Sequence, residues 1–268
     1  DVNGRLDSTA QSNVTPDKAD ALIELRSADI ASIDDLQRVV VSGVNWVVHE
    51  GDFWIISGST GSGKSRLLET AAGLMPPDRG IHLLSGQELR KLPPDVAASL
   101  RRRVGIVFPD GGRLFPELTV AQNIALPICY HYECSLERAA PRVEQLLMET
   151  GLVSYGDWSP TRLNRSYRQR AALARALALA PEVLLLDNPL SGLDVGHADW
   201  WVEFLGSLVS GCRLIGEKPM TIVLATDDIR PWRSVATRFA MITNNRWILS
   251  EGQQAAVSDK PPDGPGTR

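Results

Sequence analysis

Residues 53–65 read Phe53-Trp54-Ile55-Ile56-Ser57-Gly58-Ser59-Thr60-Gly61-Ser62-Gly63-Lys64-Ser65. An apolar run breaks into a Gly/Ser loop, and the loop leads into Leu67, Leu68, Ala71, Ala72 and Met75 at helical spacing. That order of strand, loop and amphipathic helix makes G-x-x-x-x-G-K-[ST], at Gly58 to Ser65, credible as a phosphate-binding loop and not a chance Gly/Ser turn. Gly58, Gly61 and Gly63 allow backbone N–H groups to turn inward around phosphate oxygens, and the following helix presents its positive N-terminal end. Ser59, Thr60, Ser62 and Arg66 complete the expected nucleotide-binding stretch. Lys64 is expected to bridge the terminal phosphates of a nucleoside triphosphate, and the Ser65 hydroxyl to hold magnesium.

Working outward, four more apolar runs follow: Val104 to Phe108, Val183 to Asp187, Thr221 to Thr226 and Phe239 to Thr243. Runs apolar on both faces suit buried parallel strands. They alternate with helical patterns, including Trp200, Trp201, Phe204, Leu205 and Leu208, where helical spacing favours core packing over a ligand platform. The expectation is an α/β fold with a mostly parallel sheet. From Pro116 to about Arg175 strand signals stop and helical ones, such as Leu136 to Met148, take over, which predicts an inserted helical lobe. Asp187 ends a buried strand. Read alone it is a turn-capping carboxylate; read beside the phosphate loop it is the second magnesium ligand.

The chain has 268 residues, 43% of them hydrophobic, enough for one large core, or a core with an inserted lobe, without disulfides or metals. A net charge of -4 argues against general nucleic-acid binding. The three cysteines, Cys129, Cys134 and Cys212, form no CxxC pair, so a reducing compartment is expected and no thiolate zinc site. His49, His82, His131 and His197 lack ligand spacing and read as surface or core side chains. Cys129 and Cys134 read as part of a packed turn between helices or as a partner contact. No apolar run reaches the ~20 residues that span a bilayer. Residues 1–20 and 256–268 read as disordered tails around a domain of residues 21–255.

Several segments together resemble the nucleotide-binding domain of ABC transporters across most of residues 21 to 253. Leu118-Thr119-Val120 with Asn123 follows the middle strand, and Arg168-Gln169-Arg170 leads Ala171 to Leu179. Ser191-Gly192-Leu193-Asp194 follows the Asp187 strand, and Thr226 with Asp228 follows the next. Within that family, Gly111 to Phe115 and Asn123 to Pro127 look most like the subunits of Mla-type phospholipid transport systems. The resemblance implies a P-loop NTPase fold with an antiparallel β subdomain and an inserted helical subdomain at about 116–175. It implies ATP and Mg2+ as ligands and a homo- or heterodimer. In that dimer Asn164, Arg165 and Ser166 of one subunit face the partner's nucleotide, and Asp194 sits in the D-loop. It also implies docking beside residues 108–123 onto a membrane-spanning permease, at the cytoplasmic membrane face, with a lipid-like or other hydrophobic cargo.

The chain departs from the family pattern at several hydrolytic positions. The catalytic Glu after Asp187 is Asn188, whose amide cannot accept a proton at neutral pH. Asp227 replaces the switch histidine, where a carboxylate repels a γ-phosphate unless a cation intervenes. Pro109 follows Phe108 where a glutamine is expected, and the LSGGQ signature reads Leu163-Asn164-Arg165-Ser166-Tyr167, without its glycines. No Tyr or Phe lies between Ala21 and Asn45 to stack on adenine. Two explanations stand at this point. The subunit keeps ATP binding but has lost hydrolysis and pairs with a competent partner, or Arg165 supplies the lost positive charge in a rewired site. Three function classes stay open: a transport motor subunit, an ATP-gated switch without a transport partner, and an unrelated P-loop kinase.

Overall fold

The computed structural model of the chain describes residues 21–32, 34–35, 38–211 and 218–250. Both stretches expected as tails, residues 1–20 and 256–268, lie outside the described residues, as does Cys212. The strands are β1 (Ala21–Ala31), β2 (Val39–His49), β3 (Phe53–Gly58), β4 (Arg79–Leu84), β5 (Gln87–Glu88), β6 (Val104–Val107), β7 (Val183–Asp187), β8 (Thr221–Thr226), β9 (Arg238–Thr243) and β10 (Arg246–Ser250). The helices are α1 (Lys64–Ala71), α2 (Pro94–Arg101), α3 (Val120–Tyr132), α4 (Leu136–Glu149), α5 (Arg165–Ala176) and α6 (Val195–Val209).

All these strands join one sheet in the order β5-β4-β1-β2-β10-β9-β3-β8-β7-β6. The half from β9 to β6 is parallel, as the apolar runs predicted. The reason lies in which way alternate side chains point. Phe53, Ile55, Leu184, Leu186, Ile222 and Leu224 pack into a core with the helical segment, while Trp54, Ile56, Leu185, Val223 and Ala225 pack into a second core on the other face. Strands β3, β7 and β8 are therefore each buried on both faces, which requires an unbroken apolar run. In the other half β1 pairs antiparallel with both β2 and β4, and β10, antiparallel to β9, meets β2 in parallel. An antiparallel part had been expected only through the family resemblance, with no residues assigned.

Some boundaries differ from the sequence reading. The first helix stops at Ala71, and Gly73 turns the chain with φ +72°, so Met75 lies beyond it, half-buried. Strand β6 stops at Val107; Phe108 leaves the sheet with the Arg113 guanidinium 4.0 Å over its ring. Between β6 and β7 the described residues form only helices and turns, among them α3, α4 and α5. Helix α3 begins with a reciprocal cap in which Thr119 and Gln122 each accept the other's backbone N–H. Buried Asn123 then binds the backbone of Phe115, Leu118 and Thr119, anchoring the preceding loop to the helix. Core packing was expected for both Trp200 and Trp201, and the two differ in how far they enter the core. Trp201 is fully buried, and Trp200 stacks on Phe204 at the edge of the core, with the Arg170 guanidinium 3.8 Å over its ring.

Candidate functional site

Strand β3 delivers the chain into the Gly58–Gly63 loop at the C-terminal edge of the parallel strands, where α/β folds bind ligands. A methyl on Gly58 would lie 2.6 Å from Ser62 Oγ and 2.8 Å from the Ile242 carbonyl, so only glycine fits there. Gly63 caps α1 with φ 100°, and no side chain caps the helix. A Cβ on Gly63 would also meet Val41 at 2.7 Å and Val40 at 3.1 Å. The uncapped amides of the first turn are thus left for an anion, and the Ser62 hydroxyl is buried without a partner.

A cavity of about 300 Å³ opens over this turn. Thr60, Gly61, Gly63, Lys64, Ser65 and Arg66 line it from the loop and α1. Asp187 and Asn188 enter from the end of β7 and Asp227 from the end of β8. These residues, expected to act together from the sequence, are brought together. Asp187 is buried, and burial pushes its carboxyl up from the ordinary value, while the hydrogen-bonded Ser65 hydroxyl and the Lys64 ammonium pull it down. Glu69 and Asp227 add to the upward push. A buried carboxylate against a hydroxyl is an oxygen donor pair that suits a magnesium ion, and a dication would relieve the desolvation that raises Asp187. The orphaned Ser62 hydroxyl, the glycine cradle and this donor pair all fit a magnesium-bound nucleotide phosphate.

Lys64 is buried and fully engaged. Its Nζ donates to the carbonyls of Gly58 at 2.6 Å and Ser59 at 2.9 Å, and to Asp227 Oδ1 at 2.7 Å. The second Asp227 oxygen accepts from Thr60 Oγ1 at 3.3 Å and from Asn188 Nδ2 at 3.1 Å. Arg66 donates to the Ala31 carbonyl at 3.2 Å and pairs with Glu69 at 2.6 Å.

The signature residues sit differently from one another. Asn164 caps α5, accepting the Tyr167 N–H at 2.9 Å, an interaction worth about 1 kcal/mol to a helix. Ser166 is buried in the first turn. Arg165, expected to face a partner's nucleotide, turns into the cavity of its own chain, where it pairs with Asp110 and reaches Ser191 Oγ at 3.4 Å. Asp194 caps α6 through the His197 N–H at 3.0 Å, and this bond, with the His197 ring beside it, holds its carboxyl below the ordinary range. Asp194 is not among the residues lining the cavity.

Ser32, Val40, Pro109, Asp110 and Ser191 also line the cavity. Pro109 stands where the resembled family has a glutamine and Ser191 opens the segment that runs to Asp194, whereas no local pattern marks Ser32. Val40 reaches it from β2 across the sheet, and no local pattern marks such a residue. Asp110 follows Pro109 in the loop after the middle strand, and its sequence position alone assigned it no part in the site.

A second, larger groove of about 560 Å³ lies between the β6 edge and α3, lined by Arg101, Phe108, Phe115, Leu126, Tyr130 and Arg175 among others. Phe115 and Tyr130 expose 48% and 76% of their surface, so its walls carry apolar area that the chain leaves uncovered. Among the described residues no helix is long and apolar enough to cross a membrane.

Comparison with known proteins agrees with this geometry. The ABC transporter family profile matches residues 41–191. The sulfate/thiosulfate import ATP-binding protein CysA of Mycobacterium bovis is 37% identical over 223 residues, 83% of this chain, which spans only 60% of that relative's length. The molybdate/tungstate import ATP-binding protein WtpC of Archaeoglobus fulgidus is 36% identical over 203 residues, covering 75% of this chain and 78% of the relative. The dimeric ATP-binding cassette MJ0796, solved in a post-hydrolysis state with ADP and Pi, superposes with a TM-score of 0.74 at 27% identity, over 86% of this chain and 100% of that one. These relatives are named for small oxyanions, not phospholipids, so the narrower resemblance to Mla-type lipid transport is corrected. The few residues it rested on, Gly111 to Phe115 and Asn123 to Pro127, form the loop and helix start held by Asn123, a packing feature that carries no information about cargo. By its fold, its phosphate loop and its relatives, this chain belongs to the ABC transporter family, as an ATP-binding (nucleotide-binding) domain.

Proposed function

We propose that this chain is the ATP-binding subunit of an ABC-type importer, coupling binding of Mg-ATP to movement of a small water-soluble solute through a membrane-spanning permease. One observation carries the reading: Lys64 and Ser65 from α1, Asp187 from β7 and Asp227 from beyond β8 line a single cavity over an uncapped helix start. The sulfate/thiosulfate and molybdate/tungstate import relatives support import as the direction and a small solute as the cargo class. Gly61, Gly63 and the first turn of α1 bind phosphate oxygens through backbone amides, and Ser65 with Asp187 holds the magnesium. That ion, when bound, neutralises phosphate charge. Lys64 supplies the remaining positive charge.

The subunit works in a dimer, with Arg165 and Ser166 turned towards the partner's nucleotide when the two close. The MJ0796 cassette, described as a dimer, supports that arrangement. The groove beside Phe108, Phe115 and Tyr130 is the face for the permease, at the cytoplasmic side of the membrane. Hydrolysis is slow, because Asn188 cannot take the proton of an attacking water and Asp227 brings negative charge where a histidine would donate. Both residues occupy catalytic positions without catalytic chemistry of the usual kind.

Calorimetric titration with Mg-ATP tests the reading directly. The wild-type chain is expected to bind and Lys64→Ala to lose about tenfold or more in affinity, in line with the loss of a charge-assisted contact. Equal affinity in the two would remove the phosphate loop from the site. Co-purification with a membrane permease separates the transport subunit from a soluble switch.

A further inference from the structure

The Lys64 ammonium has three N–H donors, and in this chain all three are used: two by loop carbonyls and one by Asp227. Asp227 in turn collects Thr60 from the loop and Asn188 from the end of β7. One carboxylate therefore bridges an ammonium, a hydroxyl and an amide that all face the nucleotide cavity. Carboxylate and phosphate oxygens are acceptors of the same kind, drawn to the same donors. A terminal phosphate that takes these donors displaces Asp227 and then lies beside its negative charge. A nucleotide ending one phosphate earlier makes a smaller demand on the same donors.

We propose that Asp227 is a specificity-determining residue: an internal carboxylate that competes with the third phosphate, and so sets how far the site favours nucleoside triphosphate over diphosphate. The inference rests on the nucleotide-binding reading above and goes beyond it, because it assigns Asp227 a role in ground-state selection and not in hydrolysis.

The test compares ATP and ADP affinities of the full chain in excess magnesium, for wild type, Asp227→Asn and Asp227→Ser. The Asp227 side chain is 41% exposed, so neither change opens a core, and thermal melting without nucleotide verifies the fold of each variant. Removing one charge near a phosphate is expected to shift the ATP-to-ADP affinity ratio towards ATP by on the order of tenfold in both variants. An equal change for both nucleotides would overturn the proposal, since Asp227 would then tune only Lys64. Weaker ATP binding in the variants would overturn it too, by marking Asp227 as a ligand of the cation. Failure of well-folded wild type to bind either nucleotide would remove this proposal together with the nucleotide-binding reading, an outcome distinct from the other two.

Discussion

Arg165 and Asp110 form an ion pair inside the cavity of a single chain, joining the start of α5 to the turn that follows β6. In the proposed dimer the same guanidinium faces the partner's nucleotide, so the two variants that break the pair should act in opposite directions. Arg165→Ala removes a charge-assisted contact worth about 1.5–3 kcal/mol and should weaken ATP-dependent dimerisation by roughly tenfold or more. Asp110→Asn frees the guanidinium and should strengthen dimerisation. Sedimentation with and without Mg-ATP reads both, and unchanged dimerisation in Arg165→Ala would eliminate the arginine from the dimer contact.

Turnover should respond to Asn188→Glu, which restores a proton acceptor after Asp187. A general base contributes about 10²- to 10⁴-fold, but Asn188 now donates to Asp227 at 3.1 Å, so a glutamate there meets a second carboxylate. The gain should be partial in Asn188→Glu and larger in Asn188→Glu with Asp227→Asn. Steady-state ATPase rates equal to wild type in both would show that position 188 is not where water is activated.

The turn before α3 is locked to α5 by close backbone packing. Gly111 has φ +63°, and a Cβ there would fall 2.5 Å from the Arg168 carbonyl carbon and 2.7 Å from the Gln169 nitrogen. Gly111→Ala combines backbone strain with overlap and should cost about 1–3 kcal/mol of stability, seen as a lower denaturation midpoint. A midpoint matching wild type would mean that the loop and helix separate freely.

His82 should make stability pH-dependent. Burial pushes its imidazole down to about 4 from 6.5, with Arg101 adding to the effect and a bond to the Ala71 carbonyl opposing it. The unfolded chain takes up the proton near 6.5 and the folded chain only near 4, so this contribution is complete above 6.5 and is lost as pH falls through that window. At about 1.4 kcal/mol per unit, denaturation at pH 5 should show a loss of about 2 kcal/mol relative to pH 7. His82→Phe should flatten that slope, and a slope identical to wild type would place its origin elsewhere.

Legibility in the sequence followed burial and distance along the chain. Strands β3, β7 and β8 could be read because each is enclosed on both faces. Strand β1 mixes Glu24, Arg26 and Asp29 with its apolar residues, and β10 holds only three apolar residues between Arg246 and Ser250, so neither gives a long unbroken run. Lys64, Ser65 and Asp187 were legible because each is tied to the strand or loop that presents it. Ser32 and Val40 were not, since they reach the cavity from the end of β1 and from β2, where the residue pattern concerns only packing.

From its residues alone, this chain was bound to form a phosphate loop between a buried strand and a helix, with a carboxylate at the end of a second buried strand. Those features follow from contiguous residues, where backbone geometry and solvent exclusion act over a few positions. Tertiary structure alone determined that Asp227 would grip Lys64 and that Arg165 would turn inward to Asp110. Such pairs form between segments far apart in sequence, and only the register of the sheet and the packing of α5 against the turn after β6 bring their charges within reach.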